Sequence, residues 1–498
     1  MLELAFQPDP EGAPLYRQLE AHLRGLIEAR RLLPGERLPA SRELAASLAL
    51  SRNTVNQAYQ ALVDGGWLRS YVGRGTFVAR GGAGAPRVAP AAGRGLAWSG
   101  LFARRARALA PARGLLAASG PDAPRFDFRP GLVDTGNLPG PALRRAFSLA
   151  LGKGLRALAE ERDPRGHRPL REAIARSLVA RGIACGADDV LVTSGAQQAI
   201  DLVARVLVDP GDTVVMEQPG YFGAALAFAA CEAHLLGVPV DAEGLRTDEL
   251  ARILRARRVK LLYTTPAVQS PTGVSLSEPR RRHLLELADE YQLPLLEDDY
   301  DSELRSGGPP VPALKTADSA GRAIYVGTFS KALFPGLRVG YLVAAPPLLT
   351  QLAITRAAAD LGGDVVTQAA LAELLASGGL ERHVRRVRKA LAARREALLA
   401  ALAEQMPEGT RVAPPAGGST LWLTLPEAAD PEAVHAGARA AGIAYTPGRF
   451  FTIDGSAATS LCLGFSRLAP SEIEPAVAQL AAVVARACKT GRERRPAA

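Results

Sequence analysis

A few side chains in the C-terminal two-thirds of the sequence are of types that can do chemistry together. Lys331 sits in TFSK, directly after the apolar run AIYVG. An amine at the end of a buried strand can attack a carbonyl and form an imine. Asp298 ends the run LPLLE, and a carboxylate buried there is costly without a cation beside it. Tyr300 follows two residues on, on the same side of an extended segment. Tyr221 comes after a Pro-Gly turn, where its ring can stack on a flat ligand. Gly195, Ala196 and Gln197 lie in VTSGAQQAIDL, a strand-to-helix turn whose amides point outward as an anion cup. Thr328 and Ser330 add hydroxyls, and Arg338 adds a cation able to grip a phosphate with two donors. A second set lies in the first 80 residues. Ser51, Arg52, Asn53 and Thr54 open a helix after a short turn. Hydroxyls at a helix N-terminus can donate to phosphates, an arginine to phosphate or guanine, and an asparagine to a base edge. Arg42 stands on the preceding helix, placed either for such a contact or for an intradomain ion pair. Gly73-Arg74-Gly75 is a glycine-bounded turn that can approach a nucleic acid closely, with Arg74 at its tip suited to a minor groove.

These residues need elements to hold them. In PLYRQLEAHLRGLIEARRL, Leu15, Leu19, Leu23 and Leu26 share one helical face. LPGERLPASRE reads as a turn into a helix with Ser41 as N-cap and Leu44 and Leu48 inward. With the helix from Ser51 it forms a helix-turn-helix, and LRSYVGRGTFVA reads as two short strands. Residues 81–124 are rich in Gly, Ala, Pro and Arg and read as a linker, with a short basic helix at Leu101–Leu109. Beyond Phe126, β-like runs alternate with helical ones, which predicts a mostly parallel sheet covered by helices. Residues 365–405 read as helical and 410–485 as a smaller α+β region.

Composition sets the limits. A chain of 498 residues can bury a large core. The net charge of +10 permits a nucleic-acid partner without proving one. No apolar run is long and uncharged enough to span a membrane, and the N-terminus does not read as a signal peptide. Cys185, Cys231, Cys462 and Cys488 are scattered, and the histidines do not cluster. The expectation is a cytoplasmic protein with reduced thiols and no metal.

The run Pro14–Val78, with its blocks LPASREL, SRNTV and GRGTFV, resembles the GntR type of winged helix. That resemblance turns Arg42, Ser51, Arg52, Asn53 and Thr54 towards double-stranded DNA, with Gly73 and Arg74 from the wing. Five further blocks are DPRGHRPLREAIA, VTSGAQQAIDL, EQPGYFGA, EDDYDSEL and GTFSKALFPGLRVGY. In this order they resemble the fold-type-I aminotransferases, in the form found in MocR/GabR-like regulators. The resemblance implies an N-terminal winged helix-turn-helix over 1–80, mostly α with a small β wing. It implies an α/β fold-type-I aminotransferase-like domain over 125–498, with a smaller C-terminal α+β part at about 365–485. It implies pyridoxal 5'-phosphate as cofactor, with Lys331 as Schiff-base lysine, Asp298 on the pyridine nitrogen and Tyr300 on the ring oxygen. Tyr221 would stack on the ring, and Gly195, Ala196, Gln197, Thr328, Ser330 and Arg338 would hold the phosphate. A homodimer is expected.

Four departures bear on function. The aminotransferase tyrosine that reaches the neighbouring subunit's phosphate is Glu161 here. The asparagine that binds the ring oxygen is Ser270, with Gln269 a substitute, and the regulators' loop histidine is Val268. The arginine that grips a substrate carboxylate falls at Cys462, with Arg467 a weaker alternative. Gly223 stands where GABA-responsive members carry an arginine, which argues against that ligand. The sequence therefore favours a transcription regulator that senses pyridoxal phosphate, or an amine or amino-acid effector, over an active aminotransferase with a fused DNA reader.

Overall fold

The computed structural model describes residues 6, 8–9, 13–29, 31–33, 35–64, 67–71, 75–79, 98–109, 124–305 and 311–494. Gly73, Arg74 and most of the stretch 81–124 lie outside the described residues. The chain divides into two compact units, 1–101 and 102–498.

The first unit is built on α1 (Leu15–Glu28), α2 (Ser41–Ser47) and α3 (Arg52–Asp64), followed by the antiparallel strands β1 (Leu68–Tyr71) and β2 (Gly75–Val78). Leu19, Leu23, Leu44, Val55, Ala58, Leu62 and Leu68 close its core. Leu15, expected inward, is exposed, because the core face begins a turn later. Ser41 is the first helical residue rather than the cap. The Glu43 carboxylate accepts the Ala40 amide at 3.2 Å and starts α2 one residue earlier. Ser51 does cap α3, accepting the Thr54 amide at 3.0 Å.

The second unit carries an eight-stranded sheet. Its strands are β4 (Val190–Thr193), β5 (Thr213–Gln218), β6 (His234–Asp241), β7 (Gly244–Leu245), β8 (Leu261–Thr264), β9 (Leu295–Asp299), β10 (Ala323–Thr328) and β11 (Gly340–Val343). Their spatial order is β4-β11-β10-β9-β8-β5-β6-β7. β11 runs antiparallel to both its neighbours, so β4, β10, β9, β8 and β5 all point the same way. Helices cover the sheet as the alternation predicted. Val365–Ala376 and Gly379–Gln405 account for the long helical stretch. Within the stretch expected to form a short basic helix, Trp98–Leu101 and Arg104–Ala108 are helical, and Arg104 pairs with Glu232.

The smaller α+β part holds β12 (Arg411–Ala413), β13 (Thr420–Thr424), β15 (Thr446–Pro447) and β16 (Ser460–Gly464) in one antiparallel sheet. β3 (Phe126–Asp127), from the start of the unit, pairs in parallel with β14 (Ile443–Ala444). Chain from before the large sheet therefore joins the small part, a long-range pairing that local patterning does not reveal.

Candidate cofactor site and nucleic-acid interface

The parallel strands bring the candidate residues together because their C-terminal ends share one edge of the sheet, where open α/β sheets bind ligands. Gly195 follows β4, Tyr221 follows β5, Ser270 lies in the loop after β8, Asp298 is in β9 and Lys331 follows β10.

Asp298 is buried. Its Oδ2 accepts the Tyr263 hydroxyl at 2.7 Å, whereas Oδ1 has no hydrogen-bond partner among the described residues. Burial pushes its carboxyl up to about 7, against the pull of the Tyr263 hydrogen bond and of Lys331. The Lys331 ammonium stands 5.7 Å from the centre of the Tyr300 ring. The segment through Gly131 passes close by, since a methyl added there would meet Nζ at 3.5 Å. Burial raises the Tyr300 hydroxyl well above its ordinary value, and Ser270 is its hydrogen-bond partner.

Gly195 caps the helix Ala196–Leu207 with φ +93, in the left-handed region. The Ala196 and Gln197 amides, at the first turn, have no intrahelical acceptor. Arg338 donates to the Ser194 carbonyl at 2.8 Å, and a methyl on Gly195 would meet its guanidinium at 3.3 Å. A methyl on Gly340 would fall 2.7 Å from the Gly195 carbonyl carbon. Bare backbone thus walls the cup on two sides. Thr328 Oγ1 accepts the Ser330 amide at 3.2 Å and holds that turn.

The Gln197 side chain faces elsewhere. Tyr221 donates to its Oε1 at 3.1 Å and its Nε2 donates to the Gly223 carbonyl at 2.7 Å. It orients the Tyr221 ring and leaves its backbone amide for the cup. A Cβ on Gly223 would lie 2.3 Å from Gln197 Oε1 and 2.5 Å from Tyr221, so no larger residue fits there in this arrangement.

The departures resolve individually. Cys462 is fully buried opposite Trp422 on β13 and Thr446 on β15. Burial pushes its thiol up to about 12, so it stays neutral. Trp422 packs edge-on against Phe451, ring centres 5.8 Å apart. Arg467 is half-exposed and donates to Asp127 at 3.2 Å, an acid that Arg129 also pairs. Gln269 does not substitute for the missing asparagine. Its Nε2 donates to Glu217, Pro219 and Ser270, and its Oε1 accepts from Thr272. The Glu161 carboxylate accepts the amides of Arg162 and Asp163, both at 3.1 Å, and so turns onto its own loop. Asp299 and Asp301, expected to be solvated or capping acids, are both buried. Asp299 accepts the Ser302 amide and pairs with Arg181.

Sequence reasoning missed Tyr263 and the Glu217 cluster. Glu217 is buried and accepts from Thr264, Thr265 and Gln269, tying β5 to the loop that carries Ser270. A tyrosine amid the apolar run KLLYTTP was the available signal for the first.

In the first unit Arg42, Ser51, Arg52 and Asn53 are solvent-facing or nearly so, with Arg52 and Asn53 fully on the exposed side of α3. Arg42 forms no ion pair among the described residues. Ser51 and Thr54 share a hydroxyl–hydroxyl bond of 2.8 Å, which leaves one proton of the pair to donate outward. Arg37, not singled out from sequence, packs on the wing base, where a methyl at Gly75 would meet its Nε at 2.8 Å.

Comparison with known proteins decides the family. Residues 15–78 match the bacterial regulatory proteins of the gntR family, and residues 134–480 match aminotransferase class I and II. The HTH-type transcriptional regulator TauR of Rhodobacter capsulatus is 34% identical over 95% of this chain and 97% of its own. The Probable rhizopine catabolism regulatory protein MocR of Rhizobium meliloti is 33% identical over 87% of this chain and 86% of its own. The chain belongs to the MocR/GabR-like regulators. Among solved structures, the kynurenine aminotransferase of Pyrococcus horikoshii superposes with a TM-score of 0.74 at 33% identity, over 80% of this chain and 99% of its own. The cofactor of such a domain is pyridoxal phosphate, and the residues of this MocR/GabR-like chain fit it. The lone buried oxygen of Asp298 lacks the donor that a protonated ring nitrogen supplies. The bare backbone at Gly195 and Gly340 leaves the space a phosphate needs beside Arg338. No helix among the described residues is long and apolar enough to cross a membrane.

Proposed function

We propose that this chain is a cytoplasmic, homodimeric transcription regulator whose residues 1–80 bind operator DNA and whose domain from 125 onward senses pyridoxal phosphate or an amine effector. Residues 81–124 link the two. The observation that carries the reading is the pairing of a retained cofactor site with a lost carboxylate grip. Lys331, Asp298 and Arg338 keep the chemistry that holds the cofactor, whereas Cys462 is neutral and buried where a substrate-gripping arginine would stand.

The bound cofactor supplies an electrophilic carbonyl and an electron-withdrawing ring. The protein's own groups divide the rest. Lys331 provides the amine, and Asp298 accepts the ring N–H on Oδ1 while Tyr263 steadies Oδ2. Tyr300 donates to the ring oxygen, Tyr221 covers the ring face, and the Ala196 and Gln197 amides with Thr328, Ser330 and Arg338 bind the phosphate. In the reader, Arg52 and Asn53 contact bases while Arg42, Ser51 and Thr54, with Gly73 and Arg74 of the wing, contact the backbone.

An amino acid's α-carboxylate finds no bidentate partner at Cys462, so its reacting carbon is poorly held, and misplacement of about 1 Å can slow a reaction roughly a hundredfold. Slow or absent transamination is the expected result. Similarity to aminotransferases supports the competing reading of an active enzyme with a fused reader. The test is to follow visible absorbance of the loaded protein while titrating α-amino acids and while measuring operator affinity. Operator affinity that changes with pyridoxal phosphate, without turnover of amino acids, supports the regulator. Rapid, saturable conversion lost in Arg467→Ala supports the enzyme.

A further inference from the structure

Five carboxylates are buried near the C-terminal edge of the large sheet: Glu217, Glu297, Asp298, Asp299 and Asp301. Four have partners that account for them. Glu217 accepts two threonine hydroxyls and Gln269. Glu297 accepts the amides of Leu314 and Lys315 at 2.7 and 3.0 Å. Asp299 pairs with Arg181 and accepts the Tyr325 hydroxyl. Asp298 has Tyr263 and the position of the cofactor's ring nitrogen.

Asp301 differs. It is 1% exposed, its Oδ1 has no hydrogen-bond partner among the described residues, and its Oδ2 receives the Ser419 hydroxyl only at 3.4 Å. A carboxylate at that depth without a cation is strongly disfavoured. It lies where three elements meet: the exit of β9, the turn after β10 and the Gly418–Ser419 loop before β13. It shares one cavity wall with Thr328 and Ala332, while Lys331 shares another with Ser419 and Ala332. Lys331 is thus enclosed by the same residues that enclose Asp301, and it is the cation whose charge Asp301 feels, opposed by Asp299. The other groups around the pair are accounted for. Asp298, Asp299 and Tyr300 face it from β9, and Cys462 from β16 is neutral. His383, from the helix behind Ala332, is held towards its uncharged form by burial. Arg394 and Asp134 line the Lys331 cavity but pair with each other. Arg305 donates to the Ala416 carbonyl and is shifted by burial alone.

We propose that Asp301 is the counter-ion of Lys331, the carboxylate that holds the lysine ammonium whenever the amine is not joined to a carbonyl. This rests on reading Lys331 as the cofactor-bearing lysine. Joining to a carbonyl forms a C=N bond and releases water, and the ammonium must first give up a proton, for which Asp301 Oδ1 is the acceptor at hand. Asp301 is a positioning residue in this scheme. By favouring the ammonium it opposes capture of the cofactor and makes loading reversible, as a sensor of pyridoxal phosphate requires.

A purely structural role is the alternative, since Asp301 also backs the tight Gly418 turn (φ +78), where a methyl would meet its Oδ2 at 2.7 Å. Asp301→Asn preserves shape and removes charge; Asp301→Glu preserves charge. The full-length chain, freed of cofactor, is acylated with acetic anhydride across a range of pH, and modification of Lys331 is quantified by mass spectrometry. The expected result is acylation of Lys331 on the order of tenfold faster at neutral pH in Asp301→Asn, equivalent to one pH unit. Asp301→Glu should stay near wild type, with melting temperatures matched. Equal rates in wild type and Asp301→Asn overturn the proposal. Asp301→Ser makes the same comparison if the asparagine variant does not fold. Loading with pyridoxal phosphate is then followed by absorbance against pH. Half-loading should move to lower pH in Asp301→Asn. Loading with unchanged pH dependence overturns the counter-ion role while leaving the cofactor reading intact. No loading in any variant, with the acylation difference present, overturns the cofactor reading and leaves the counter-ion role standing.

Discussion

The reader and the cofactor site deploy their functional groups in opposite ways. In the reader, residues 51–54 are consecutive, largely exposed, and aimed by the helix they begin, whose inner face buries Val55, Ala58, Tyr59 and Leu62. In the cofactor site, Gly195, Tyr221, Asp298 and Lys331 come from separate crossovers and meet because parallel strands end along one edge. The first arrangement tolerates water and works through donors and charge at a surface. The second depends on burial, which makes each polar group either matched or costly. The comparison implies that substitutions in the reader change affinity in small steps, and that substitutions in the cofactor site act through loss or misfolding.

The sharpest test is Lys331→Ala. It should abolish the borohydride-trapped adduct with pyridoxal phosphate while the protein still binds nonspecific DNA through the reader. An adduct trapped at another lysine would break the assignment. Next in size is Cys462→Arg. The sequence alone invites this change as a restoration of the carboxylate grip. The structure instead predicts destabilisation of several kcal/mol, because the position is enclosed by Trp422 and Phe451 and a buried unpaired cation adds to overpacking. A melting temperature unchanged from wild type would show that the site opens to admit the side chain. Asp298→Asn should weaken cofactor binding by about 3 kcal/mol, the scale of breaking a buried charge pair, and Tyr263→Phe by about 1 kcal/mol. Equilibrium dialysis distinguishes the two.

The same site should leave a mark on pH dependence. Burial lifts Asp298 and Glu297 to about 7 and Asp301 to about 6, above the ordinary carboxylate values of the unfolded chain. Without cofactor, the folded domain therefore binds more protons than the unfolded one in this range. Its stability should fall as pH rises from about 4 to about 7 and level off above. Asp298→Asn should flatten part of that slope; denaturant midpoints at several pH values measure it. In the reader the expected effects are smaller. Arg52→Ala should weaken operator binding by about 1–3 kcal/mol and reduce its salt dependence. Ser51→Ala should lower stability of the first unit by about 1 kcal/mol through loss of the α3 cap. If Arg52→Ala instead matched Lys331→Ala in severity, the contrast between an exposed and a buried site would fail.

Local pattern carried what is local. The α3 cap at Ser51, the leucine stripe of α1, the strand-to-helix turn at Gly195 and the lysine after an apolar strand all follow from neighbouring residues, because caps, helical faces and turns are satisfied within a few positions. The order of apolar runs was enough for a mostly parallel sheet, since such alternation has few packed solutions. The tertiary structure decided what depends on distant partners. It paired Phe126–Asp127 with Ile443–Ala444, set Tyr263 under Asp298 and turned the Gln197 side chain onto Tyr221. It also closed Trp422 and Phe451 around Cys462, and buried Asp301 among residues that enclose Lys331. Burial and pairing belong to the whole fold: a carboxylate reads the same in a sequence whether water or a closed cavity surrounds it, and only packing determines which charge it must find.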